Sequence, residues 1–204
     1  MKCYFDYSSV ETEYLTKRDK ALGRAIEQIG PLKREVQPDL FTALIKSMIG
    51  QQISIKAQNT VWGRLIELIG EVTPTTILSL TDSQIQACGT SYKKASYILQ
   101  AAERISSGNP DLNALLSMPD HEVCRELSTL HGVGIWTAEM LMLFSMQRRD
   151  ILSYGDLAII RGMKMLYRHK EVSKERFEKY RKRYSPYGSV ASLYLWEIAG
   201  GAPI

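Results

Sequence analysis

Two glycines, Gly132 and Gly134, stand in "LHGVGIWTAEM" (130–140) between two stretches of helical periodicity, with Trp136 just behind them. Glycine has no Cβ, so the main chain there can take positive φ and lie close to another group. The first N–H groups of the following helix have no carbonyl ahead of them, and a phosphate suits that place. A bare GxG also serves as a close-packed link between helices. Its flanks distinguish the two uses, and here "HEVCRELSTL" precedes the turn and "IWTAEMLMLFSM" follows it, both with helical character. Twenty residues beyond Trp136, Asp156 opens another helical run in "ILSYGDLAIIRGMKMLY" (151–167). Taken alone, an acid at that place is an N-cap, worth roughly 1 kcal/mol to its helix.

The elements that must hold these residues are helices throughout. Apolar residues recur at helical spacing, as in Leu40, Leu44, Ile45 and Met48 or Val61, Leu65, Ile66 and Ile69, and strand-like alternation is almost absent. Gly30-Pro31, Gly70, Gly89, Gly108-Asn109-Pro110, Pro119, Gly132 and Pro186 cut the chain into about nine or ten helices. Thr81, Ser91 and Ser173 are predicted caps. The fold class expected is all-α, one compact domain over 1–204, with two helical lobes flanking a cleft. A hairpin element spans 121–145 and a loop carrying the acid spans 150–157.

Charge is segregated. The formal net charge is +4, but 161–184 hold ten Lys or Arg against three Glu, so the rest of the chain is slightly acidic. A basic face suits an anionic partner such as nucleic acid, and a solvated helix of mixed charge fits the same residues. Cys3, Cys88 and Cys124 are too few and too widely spaced for a disulfide framework or a zinc or iron–sulfur cluster. No signal peptide or membrane span is legible, which predicts a soluble, cytoplasmic protein, nucleoid-associated if bacterial.

Taken together, the hairpin and the acid twenty residues on resemble the helix–hairpin–helix (HhH-GPD) DNA glycosylase superfamily. Further stretches carry the likeness: "SMIGQQISIKAQNTVWGRL" (47–65), "LTDSQIQACGTSYKKASYILQAAERI" (80–105) and "YSPYGSVASLYLW" (184–196). They are most similar to the alkylation-repair branch, the DNA-3-methyladenine glycosylase II type. The resemblance implies an enzyme that extrudes a damaged nucleotide from duplex DNA and hydrolyses its N-glycosidic bond, because the bond is shielded inside the stack.

Residue by residue, the resemblance assigns the phosphate grip to Leu130, His131, Gly132, Val133, Gly134, Ile135 and Thr137, with Lys93 and Lys94 as further DNA contacts. Carbonyls of Ser128, Leu130 and Val133 would hold a structural monovalent cation, Na+ or K+; no other cofactor is expected. Gln51 and Gln52 would fill the vacated stack, Gln52 the better placed. Asp156 would stabilise the cationic sugar and orient or deprotonate water. Trp136, Trp196, Tyr154 and Met140 would line the base pocket, although Trp196 also reads as core and Tyr154 as a loop ring packed on a helix.

Trp136 stands where bifunctional relatives carry a nucleophilic lysine, which implies a water-using enzyme without AP lyase activity. An aromatic there suits a cationic alkylated purine of the 3-methyladenine or 7-methylguanine type. Its partner would be double-stranded DNA bearing damaged bases, and it would act as a monomer. Departures from the family pattern are His131 in place of proline, Met140 in place of a tyrosine and Gly188 in place of an arginine. Two other readings stay open: a glycosylase for oxidised or deaminated bases, and a non-catalytic helix–hairpin–helix module that binds DNA by shape.

Overall fold

A computed structural model describes residues 2–204. They fall into two compact units, one of Met1–Val36 with Met142–Ile204 and the other of Gln37–Leu141. One unit is assembled from both ends of the chain, the other from its middle.

The chain begins with β1 (Cys3–Tyr4), α1 (Ser9–Arg18), α2 (Lys20–Ile29) and β2 (Glu35–Val36), the two strands forming a short antiparallel ladder. Its middle carries α3 (Leu40–Gly50), α4 (Ile55–Ile69), α5 (Pro74–Leu78), α6 (Asp82–Ala87), α7 (Tyr92–Ser106), α8 (Leu112–Leu115), α9 (Asp120–Leu127) and α10 (Ile135–Phe144). It ends with α11 (Leu157–Tyr167), α12 (Lys174–Tyr184) and α13 (Gly188–Ala199). Among the described residues this makes thirteen helices, more than periodicity predicts, because α5, α6 and α8 have six residues or fewer and cannot show a full helical repeat. The caps at Thr81, Ser91 and Ser173 stand where the sequence puts them.

In the middle unit, α3 buries Leu40, Phe41, Leu44, Ile45, Met48 and Ile49 and packs against α4 and α7. The partner helix α7 buries Ile98 and three alanines, Ala95, Ala101 and Ala102, whose small side chains let α3, α5 and α6 approach it. Its other side bears polar residues, and these hold the site.

In the unit built from the chain ends, α13 is buried along almost its whole length and packs against α11, α2, α1 and α12. A Cβ on Gly162 would lie 2.2 Å from the Leu195 carbonyl oxygen, so only glycine permits the contact of α11 with α13. Ser189 and Ser192 are buried in α13 but paired: the Ser192 hydroxyl donates to the Ile151 carbonyl at 2.9 Å, and the Ser189 oxygen accepts from the Ile151 N–H at 2.9 Å. Asp19 both ends α1 and caps α2, and its second oxygen accepts from Tyr167 at 2.9 Å and Arg183 at 2.6 Å. No helix among the described residues is long and apolar enough to cross a membrane.

Candidate functional site

The hairpin is the turn between α9 and α10. The Val133 N–H closes it onto the Leu130 carbonyl at 3.0 Å, and Gly132 takes φ +82°. A side chain at Gly132 would also meet Tyr97 Cδ2 at 2.7 Å, so glycine is required both by conformation and by space. Gly134 differs from the sequence expectation. It is not in the left-handed region, and nothing lies within 4 Å of where its Cβ would stand, so its bare backbone is open to approach. It is followed by the first turn of α10. Leu130 and Val133 are buried and anchor the turn, whereas His131, Gly132, Gly134 and Ile135 are exposed.

One face of α7 supports the hairpin. Tyr97 packs on Gly132, the Gln100 side chain meets His131 Nδ1 at 2.6 Å, and Arg104 donates to the Thr129 carbonyl at 2.7 Å and to its hydroxyl at 3.1 Å. Sequence reasoning passes over these three residues. Their signal is their spacing on one side of a helix whose other side is apolar. Lys93 lies over the Tyr97 ring, 5.7 Å from its centre.

Lys94 has a different task from the phosphate contact expected of it. Its half-buried ammonium donates to the carbonyls of Ile49 at 2.9 Å and Gln51 at 2.6 Å, turning inward because these end-of-helix oxygens lack helical donors. Burial holds its pKa below the ordinary lysine value.

The loop after α3 separates the two glutamines. Gln51 Nε2 donates to the Gly132 carbonyl at 2.8 Å and is committed to the hairpin. Gln52 is exposed and takes φ +58°, a left-handed conformation uncommon outside glycine. Both line a cavity of about 420 Å³ with Ser47, Gly50, Gln58, Trp136 and Thr137. The Trp136 residue is 44% exposed, while Thr137 beside it is buried. Met140, one turn further along α10, is half-buried.

The acid belongs to the other unit. Asp156 is 7% exposed and caps α11, its Oδ1 accepting from the N–H groups of Ala158 and Ile159 at 2.9 Å each. The loop that carries it is stapled to the start of α13. Besides the two serine contacts at Ile151, Asp150 accepts from the Gly188 N–H at 3.0 Å and the Ser185 hydroxyl at 2.6 Å, and the Ser189 hydroxyl donates to the Arg148 carbonyl. A Cβ on Gly188 would fall 2.8 Å from Asp150 Oδ1, which gives glycine at that position a local reason. Asp150, Ser189 and Ser192 are also missed from sequence; the two serines leave the trace of small polar residues within an apolar helix, and Asp150, in the loop, leaves none.

Trp196 is half-buried and stacked on Phe144 at 5.4 Å between centres, with the Arg34 guanidinium 5.9 Å from its ring. Tyr154 is 42% exposed and sets its ring edge against Phe177 at 5.1 Å. No cluster of three or more His, Cys, Asp or Glu among the described residues could hold a metal ion, and all three cysteines are free thiols.

The DNA-3-methyladenine glycosylase 1 of Schizosaccharomyces pombe is 27% identical over 194 residues, covering 91% of this chain and 85% of that one. Among solved structures, a DNA-3-methyladenine glycosidase from Bacillus halodurans superposes with a TM-score of 0.87 at 35% identity, over 97% of this chain and 93% of that chain. The Schizosaccharomyces pombe 3-methyladenine DNA glycosylase in complex with abasic DNA gives 0.80 at 27% identity, over 92% and 95%. The model of the HhH-GPD superfamily of base excision DNA repair proteins matches residues 45–186, a span that includes the glutamine loop, the hairpin and Asp156, and the chain belongs to that superfamily.

Proposed function

We propose that the protein is a monofunctional DNA glycosylase that flips alkylated purines, of the 3-methyladenine and 7-methylguanine kind, out of duplex DNA and hydrolyses their N-glycosidic bonds. The observation that carries this reading is the ring of Trp136, 44% exposed in a cavity that it shares with the glutamine loop. At about 420 Å³ the cavity is within the ordinary range for small-ligand pockets, about 300–1,000 Å³. An alkylated purine carries positive charge, and stacking on tryptophan adds a cation–π attraction of about 0.5–2 kcal/mol that a neutral base does not receive.

Chemistry and structure divide the work. The C1′–N bond breaks with its electrons passing to the base, which leaves as a neutral purine. The sugar is left as an oxocarbenium-like cation, and a fixed carboxylate in a sheltered site stabilises it more strongly than water does. Asp156 is that carboxylate; it is pre-aimed by two N–H bonds and by a loop tied to α13. Water then adds its oxygen to C1′ and gives up a proton, leaving an abasic site. No lysine lies within 131–140, so no amine is at hand there to form a Schiff base, and strand cleavage is not part of the reaction.

Grip on the backbone is assigned to the hairpin main chain between Leu130 and Thr137, apart from the Leu130 and Val133 N–H groups, which are bonded within the turn; gap filling is assigned to Gln52, and a further aromatic contact with the flipped base to Trp196. The cation fits by donor chemistry: the carbonyls of Ser128, Leu130 and Val133 are neutral oxygens, and Leu130 already accepts one N–H, a set that suits a monovalent rather than a divalent ion. Bound there, it would supply positive charge facing a phosphate.

The test is release of 3-methyladenine and 7-methylguanine from methylated duplex DNA, followed by alkaline scission of the abasic sites. Release without strand breaks before alkali is the expected result. No release at any enzyme excess ends the reading, and a borohydride-trapped enzyme–DNA adduct would replace it with a lyase acting on oxidised bases.

A further inference from the structure

We propose that Lys94 is a positioning residue that locks the gap-filling loop to the phosphate-gripping hairpin, so that gripping the backbone and filling the vacated stack act as one rigid step. The inference rests on the proposed function. It concerns a residue whose side chain faces main-chain carbonyls rather than DNA.

The last carbonyls of α3 have no helical donors, and they stand at the negative end of the helix dipole. Lys94 answers both needs, reaching the Ile49 and Gln51 oxygens at 2.9 and 2.6 Å. Gln51 is thereby held from two sides, its carbonyl by Lys94 and its side chain by the Gly132 carbonyl. The next residue, Gln52, is the one in left-handed conformation, and it keeps that backbone only while its neighbour is fixed. The same helix that supplies Lys94 supplies Tyr97, Gln100 and Arg104 to the hairpin. Of these four, Lys94 reaches the glutamine loop. Loss of its ammonium therefore frees the loop and leaves the hairpin supported.

That asymmetry gives a readout that general destabilisation does not. In Lys94→Met the stem remains and the charge goes. Affinity for intact duplex should stay close to wild type, whereas the preference for a duplex containing an abasic-site mimic should shrink. Single-turnover excision of 7-methylguanine should fall by about tenfold to a hundredfold, the scale on which a misplaced group slows a reaction. Lys94→Arg should restore most of both. Adding Gln51→Ala to Lys94→Met should cost little more, because the two act through one link. If the methionine variant does not fold, Lys94→Gln, with two N–H donors and no charge, takes its place.

Wild-type excision and abasic preference in a folded variant overturn the inference, as do equal losses on intact and abasic duplex, or failure of arginine to rescue. The abasic arm needs no catalysis. Wild type that excises nothing sinks the reading of function, whereas equal abasic preference in wild type and variant sinks this one.

Discussion

Replacing Asp156 by asparagine keeps an acceptor at the mouth of α11 and removes the negative charge. The two N–H bonds, from Ala158 and Ile159 at 2.9 Å each, both fall on Oδ1, and an amide oxygen at that place can accept them in the same way. Asparagine and aspartate are comparable caps, so the change in stability should be below about 1 kcal/mol, which for a chain of this size is about 4 °C or less in Tm. The catalytic loss is of a different order. A carboxylate about 4 Å from a unit positive charge, at an effective dielectric of about 20, contributes about 4 kcal/mol. That corresponds to roughly a thousandfold in rate.

The measurement is single-turnover release of 7-methylguanine from duplex DNA, paired with binding to an abasic-mimic duplex and a thermal melt. Excision should collapse while binding and melting stay in place, binding even strengthening because a negative charge near phosphate is gone. Asp156→Ala should lose the same rate and, in addition, about 1 kcal/mol of stability with the cap. An asparagine variant that keeps more than about a tenth of the wild-type rate would refute the electrostatic argument, since about 1.4 kcal/mol or less would then be left for the charge. A variant that loses activity only in step with unfolding would reduce Asp156 to a cap.

Trp136→Ala should slow excision of cationic purines by about twofold to thirtyfold, the kinetic equivalent of a cation–π term of about 0.5–2 kcal/mol, with a much smaller effect on a neutral base such as hypoxanthine; equal effects on both would show stacking without charge recognition. Gly132→Ala meets Tyr97 at 2.7 Å from a left-handed backbone, and should cost about 1–3 kcal/mol in a denaturant melt together with weaker, less salt-dependent duplex binding. Glu11 gives a pH dependence. Burial pushes its carboxyl up, but bonds from the Ser8 N–H and hydroxyl, with Arg149 nearby, outweigh this and hold its pKa below the ordinary glutamate value. A lowered folded pKa means stability that is present above the unfolded value and lost as pH falls through the folded one. Glu11→Gln should therefore flatten the acid limb of a Tm-against-pH curve, and an unchanged limb would refute the assignment.

The residue order alone determined the helical class, the positions of the hairpin and the acid, and most helix starts, because caps, glycine stops and apolar spacing are local properties of the chain. It pointed to Asp156 as a cap and, by resemblance, as a catalyst; the cap geometry is present, and the catalytic role waits for the asparagine variant. Contacts between residues distant in sequence required the tertiary structure. Lys94 is a DNA contact by resemblance, and only the tertiary structure brings to it the carbonyls at the end of α3, over forty residues earlier. Both adjacent glutamines are candidates for gap filling from sequence, with Gln52 the better placed, and the approach of the Gly132 carbonyl gives the physical separation, because it engages Gln51 while Gln52 stands exposed. Ser189 and Ser192 carry no signal of their own in the sequence, yet they tie down the loop that carries the acid. In each case a polar group meets its partner across many residues of chain, and hydrogen-bond satisfaction on burial, unlike helical periodicity, leaves almost no local trace.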